Sequence, residues 1–239
     1  MTVTYQPVLV FLSIGVAILG SLTALALTSL LDSEDSTTAQ RSFALASAGL
    51  IMGATIWSMH FVAMMAVDFP LVVNYNLVET ISSIVIAMVA TGTGLYLASS
   101  RRLWLLRIAL GGILMGLGIA SMHYLGMSAI RGCGLSYDLP LVAASVGIAV
   151  GASIAALWFA FYKRNFLMTL AGGVVQGLAI ASMHYTAMAA TYFVPLGAEV
   201  QISAPIFSQS QVAYMIACGM VVISLGNLSF FALMRREMS

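Results

Sequence analysis

The chain has 239 residues, 61% of them hydrophobic and only 7% charged, with a mean hydropathy of +1.03. Soluble domains carry charge on about a quarter of their residues, so nine Lys+Arg and eight Asp+Glu cannot coat a water-facing surface, and the bilayer is the expected solvent. A net charge of +1 gives no electrostatic grip on nucleic acid, and two cysteines exclude a disulfide framework or a Cys-rich zinc site.

A helix that crosses the hydrocarbon needs about 20 apolar residues. In chain order the qualifying stretches are Val8–Leu31, Phe43–Val67, Leu77–Ala98, Leu103–Ile130, Leu139–Phe161, Phe166–Phe193 and Val212–Met234. Polar or turn-forming segments separate them: Asp32–Ser42, Asp68–Asn76, Ser99–Arg102, Arg131–Asp138, Tyr162–Asn165 and Pro195–Gln211. Lipid offers the backbone no hydrogen-bond partners, and a strand barrel would show short alternating segments instead. The expected fold is therefore all-α, a polytopic membrane bundle of seven helices forming one domain over residues 1–239. The first span is too long, and lacks the preceding basic residue, for a cleaved signal peptide.

Basic residues set the expected orientation. With the N-terminus outside, the inner segments hold Arg41, Arg101, Arg102, Arg107, Lys163, Arg164, Arg235 and Arg236, while the outer segments hold Arg131. Asp68, Glu79, Asp138 and Glu199 fall outside. The C-terminus is then cytoplasmic, and no soluble output domain is expected within these residues.

All three histidines sit in one recurring phrase: Ser58-Met59-His60-Phe61, Ser121-Met122-His123-Tyr124 and Ser182-Met183-His184-Tyr185. They stand 63 and 61 residues apart, two membrane crossings, so the repeat is a helical hairpin. The three hairpins run approximately over 8–67, 77–130 and 139–193, followed by a lone seventh helix at 212–234. Every motif falls on an even-numbered helix running in the same direction, which makes the repeats parallel. Eleven and seven residues before the histidines lie Gly49 and Gly53, Gly112 and Gly116, Gly173 and Gly177; four residues after lie Met64, Met127 and Met188. At 100° per residue these offsets fall within about 40° of the histidine. One stripe of glycine, histidine and methionine is thus expected to face the bundle interior, with the imidazoles level in the outer half of the membrane.

Ionisable groups inside a span are costly and usually functional. Imidazole nitrogen with thioether sulfur, and no carboxylate mid-span, favours copper over magnesium, calcium or manganese. The candidate metal ligands are His60, His123 and His184, then Met64, Met127 and Met188 on the same face, and Met59, Met122 and Met183, which reach a site only across a helix interface. Haem or another transition metal is the alternative cofactor. Tyr124 and Tyr185 read equally as hydrogen-bond partners or as interfacial anchors; Gln176 and Asn227 read as helix–helix donors. Whether Cys133 and Cys218 pair stays open.

The phrases Met122-His123-Tyr124 and Met183-His184-Tyr185-Thr186 resemble the MHYT domain, a bacterial integral-membrane sensor family, and the likeness covers nearly the whole chain. Phe61 departs from the pattern, and Thr occurs once, as Thr186. The resemblance implies a sensory input domain that binds copper near the outer face through its Met and His residues. It implies sensing of a diatomic gas (oxygen, carbon monoxide or nitric oxide) and signalling to a cytoplasmic output domain or partner protein. The expected place is the bacterial inner (cytoplasmic) membrane, within the lipid bilayer; a homodimer stays open. Transport of copper or another small solute is the alternative function. An enzyme ranks third, because no nucleophile–base–acid set can be assembled.

Overall fold

The computed structural model describes residues 3–29, 37–70, 73–100, 104–162, 166–195 and 209–237. Seven helices are present among them: α1 (Pro7–Thr28), α2 (Thr38–Met65), α3 (Leu77–Ala98), α4 (Trp104–Ser128), α5 (Leu139–Phe161), α6 (Phe166–Ala189) and α7 (Gln209–Glu237). All seven are long and apolar enough to cross a membrane. Helix α2 starts five residues before the apolar stretch because of its cap. The Thr37 hydroxyl accepts from the Gln40 N–H at 3.2 Å, and the Gln40 side chain accepts from the Thr37 N–H at 2.8 Å, a reciprocal pair that satisfies two orphan donors.

Helices α1 to α6 form a closed ring in chain order, α6 returning to α1, and α7 lies outside it against α1 and α2. At one end lie short antiparallel ribbons, partly in segments expected as loops and partly at the expected span ends Val67, Ile130 and Thr191–Phe193. Strand β1 (Thr4–Tyr5) pairs with β2 (Val67–Asp68), β3 (Asn74–Tyr75) with β4 (Ile130–Arg131), and β5 (Cys133–Tyr137) with β6 (Thr191–Pro195). Each ribbon joins the segment before an odd helix to the segment after the next even helix, so every hairpin closes on itself. Equivalent backbone bonds lock the register: Gln6 N–H to Ala66, Asn76 N–H to Ala129, and Asp138 N–H to Ala190, each 2.8 Å. Gly132, at φ 109°, makes the turn between β4 and β5 that a side chain would strain.

Neighbouring hairpins approach through small residues. A Cβ on Gly53 would lie 2.5 Å from Met88 Cα, one on Gly116 2.5 Å from Val150 Cα, and one on Gly177 2.7 Å from Ile18 Cα. The even-helix glycines therefore receive the odd helix of the next hairpin and do not line the bundle interior as expected. The opposing odd-helix faces are small and buried as well: Ser13-Ala17-Ser21, Ser83-Ala87-Thr91 and Ser145-Ala149-Ser153. Thr91 adds a bond across the seam, donating to the Gly49 carbonyl at 2.7 Å. Without a hydrophobic drive in lipid, such close backbone contact is what holds membrane helices together.

Gly116→Ala should destabilise the fold by about 1–3 kcal/mol, because the new methyl overlaps the α5 backbone. Gly151→Ala, where nothing lies within 4 Å, should not lower the melting temperature and should raise it by up to about 2–4 °C, since alanine is the better helix former. Thermal unfolding of the two purified variants in detergent checks both.

Candidate metal centre

Each motif histidine is followed by five further helical residues before its helix ends, at Met65, Ser128 and Ala189. The ribbon bond at the alanine six residues on then pins each motif to the same height. The imidazoles lie about 8 Å inside the helix ends; α6 stops at Ala189, short of the expected Phe193, because Thr191–Pro195 is strand β6.

The three rings meet inside the ring of helices, and all are fully enclosed. His60 Nδ1 lies 3.1 Å from His123 Nδ1 and 3.2 Å from His184 Nδ1. One ligand nitrogen from each histidine falls within 4.8 Å of the others. The rings are arranged edge to face, with centroids 4.8 to 5.2 Å apart. The three Nε2 atoms are buried and without a hydrogen-bond partner.

This donor set fits a metal ion. A proton on one Nδ1 can serve the facing lone pairs, but it leaves the three buried Nε2 atoms without partners whichever tautomer each ring takes. A cation between the Nδ1 atoms uses all three lone pairs. Bonds of about 2.0–2.1 Å at tetrahedral angles separate ligand nitrogens by about 3.3 Å, close to the 3.1 and 3.2 Å of the two pairs that include His60. The three histidines can hold a metal; which metal is a separate question.

The methionines divide by position. Met64, Met127 and Met188 are buried in the apolar cluster at the ribbon end, with Val67, Cys133 and Phe193. Met59, Met122 and Met183 are buried in the larger cluster, with Ile56, Ile119 and Ile180. Both sets are enclosed close in sequence to the imidazoles. Cys133 is buried and Cys218 exposed, and both are free thiols. Burial pushes the Cys133 thiol, and the neighbouring Tyr75 phenol, above their ordinary values.

The motif tyrosines lock one hairpin to the next. Tyr124 Oη is 2.8 Å from Ser145 Oγ, and Tyr185 Oη is 3.0 Å from Ser13 Oγ. The first motif has Phe61 in the tyrosine's place, and Trp57 replaces the missing hydroxyl by donating Nε1 to Ser83 Oγ at 3.1 Å. Ser13, Ser83 and Ser145 occupy the same position, six residues after the first residue of their helices. Each also donates to a carbonyl one turn back in its own helix. Every motif residue after the histidine packs edge-on against its imidazole, at 4.9, 4.9 and 5.0 Å. The locks therefore brace the histidines. The serine triplet escaped the sequence reading because it lies within uniformly apolar stretches. Asn227, expected to bridge helices, bonds its own helix at Ile223, whereas Gln176 does bridge, to Met52.

A closed ring of membrane-length hairpins around three buried histidines defines a multi-pass membrane protein of three repeats. Three segments, 53–111, 116–173 and 177–237, match the MHYT family, described as a bacterial signalling protein N-terminal repeat, and the chain belongs to that family. Each matched segment begins at or beside the glycine seven residues before a histidine, so the family unit spans the seam between hairpins. The bifunctional diguanylate cyclase/cyclic di-GMP phosphodiesterase MucR of Pseudomonas aeruginosa is 42% identical over 203 residues, 81% of this chain and 29% of that protein. The cyclic di-GMP phosphodiesterase NbdA of the same organism is 37% identical over 84% of this chain and 26% of its own length. The signaling protein YkoW of Bacillus subtilis is 35% identical over 80% of this chain and 24% of its own length. The chain thus spans less than a third of each of these relatives. No solved structure matches it.

Tyr124→Phe and Tyr185→Phe should each cost about 0.5–1.5 kcal/mol, the worth of one hydrogen bond. Adding Ser145→Ala to Tyr124→Phe should cost less than the sum of the single effects, since both remove the same lock; a double-mutant cycle of melting curves measures it. Because a thiolate is the reactive form, the raised Cys133 thiol should alkylate slowly at neutral pH. Its rate should climb as pH rises past the ordinary thiol value, which mass spectrometry after iodoacetamide treatment follows residue by residue.

Proposed function

We propose that this chain is a sensory input unit of the bacterial cytoplasmic membrane, with its N-terminus outside and His60, His123 and His184 holding copper. The observation that carries the reading is the meeting of three Nδ1 atoms, each from a different hairpin, at 3.1 to 3.2 Å from the shared member. Nitrogen donors with buried thioethers nearby suit copper better than hard cations. Met64, Met127 and Met188, and then Met59, Met122 and Met183, are the further candidate ligands. Centroid spacings of 4.8 to 5.2 Å leave no slot for a macrocycle between the rings, which favours a bare ion over haem. When bound, copper supplies affinity for a diatomic gas such as oxygen, carbon monoxide or nitric oxide, together with a one-electron couple.

The chain's own part is mechanical. Any change in the spacing of the nitrogens displaces three hairpins that are tied at the ribbons and along their seams. Helix α2 carries His60 and packs on α7, and Phe43 near its start meets Phe230 of α7 edge-on at 5.7 Å. That contact lies at the end opposite the ribbons, where α7 runs toward the C-terminus and a cytoplasmic output, attached or separate. A ligand drives the shift only as far as it binds the two packings unequally. Relatives named for cyclic di-GMP synthesis and breakdown are consistent with such an output.

Copper transport is the second reading, favoured by a cavity of about 20 Å³ that touches Ile56, Ile119 and Ile180, one turn inward of the histidines. Copper flux into liposomes that is lost in His123→Ala would select it.

Metal analysis of copper-loaded protein in detergent, beside the triple His60→Ala, His123→Ala, His184→Ala variant, tests the main reading. The variant should carry one copper fewer per chain; equal content ends the ligand assignment. Gly126→Ala should weaken copper binding at least tenfold in chelator competition, since a Cβ there would sit 2.5 Å from His60 Nε2 and push the ring off the centre.

A further inference from the structure

Two turns inward from the histidines the three even helices meet again. The residue eight positions before each histidine is Met52, Met115 or Gln176, about 12 Å along the helix. All three are buried, Gln176 to 6% exposure. Together they line a cavity of about 10 Å³ whose walls come from all six ring helices, including Ala24, Leu95 and Ala156. Met115 and Gln176 also line the neighbouring cavity of about 20 Å³ that reaches Ile56, Ile119, Ile180 and Met183. Gln176 donates Nε2 to the Met52 sulfur at 3.3 Å, while its Oε1 is buried with no partner.

Two thioether sulfurs and an amide oxygen are a neutral donor set with no proton to release. Hard divalent cations such as magnesium and calcium want carboxylates or several oxygens, and no carboxylate lines either cavity. Soft sulfur selects Cu(I) and ions like it, and a single positive charge costs less to strip of water than a double one. The space suits one water-sized occupant.

We propose that Met52, Met115 and Gln176 form a second metal site, specific for a soft monovalent cation of the Cu(I) class, with both sulfurs and Gln176 Oε1 as ligands. It lies inward of the histidine centre and shares no ligand with it, so either site can fail without the other. The test counts Cu(I) per chain anaerobically by chelator competition, with X-ray absorption at the copper edge. It compares the wild type, the triple His→Ala variant and Met52→Leu/Met115→Leu, whose substitutions preserve volume.

The wild type should bind two ions. The double Leu variant should bind one, with nitrogen neighbours, and the triple His variant should bind one, with sulfur neighbours. If the triple His variant loses no metal but the Leu variant loses an ion, the histidine reading falls and the inner site stands. A Leu variant that binds as many ions as the wild type overturns the inner site. Should that variant melt early, Gln176→Leu, which keeps both sulfurs, should bind the second ion at least tenfold more weakly. Undiminished affinity there overturns the assignment equally.

Discussion

A polar atom inside lipid has no water to turn to, and three imidazoles in this chain are placed where only one another can answer them. Their Nδ1 atoms converge to 3.1 and 3.2 Å while their Nε2 atoms have no partner, an arrangement that protons alone leave unsatisfied. The rest of the bundle serves to keep three separate helices in the register that this meeting requires. The ribbons set the height of each histidine, with the bonded alanine always six residues beyond it. The glycine seams set the distance between hairpins, and the Tyr124, Tyr185 and Trp57 bonds fix each seam beside the ring it braces.

The same logic explains why the first repeat tolerates a departure from the pattern. Phe61 removes a hydroxyl, but Ser83 still needs a donor on that seam. Trp57, one turn earlier on the same helix, reaches it with an indole N–H and packs on Phe61 at 4.6 Å. What the three repeats share is the serine acceptor and a donor able to reach it, and the identity of the aromatic residue is secondary.

Much of this was legible in the sequence. The seven spans, the hairpin period and the candidate histidines follow from hydropathy and from one repeated phrase, because lipid punishes any other placement of such residues. The ribbons leave little periodic signal: Asn74–Tyr75 and Cys133–Tyr137 fall in segments expected as loops, while Val67, Ile130 and Thr191–Phe193 are apolar and extend the expected spans. The glycine stripe was misassigned for a geometric reason. Projection on an ideal helix puts Gly53 within about 20° of His60. The positions that line the axis instead recur every four residues, at His60, Ile56 and Met52, and drift about 40° per step. The helix leans across the axis and turns its glycines toward α3. Met52, Met115 and Gln176 stayed hidden because their chemistry differs between repeats even though their position does not.

In the matched family unit α7 stands third after α3 and α5, yet α1 takes its berth beside α6 and closes the circle. The surplus helix is left leaning chiefly on the first hairpin. The three hairpins are thus alike around the histidines and unlike at the rim: α7 packs mainly on α1 and α2, so the threefold likeness of the repeats ends at the first of them.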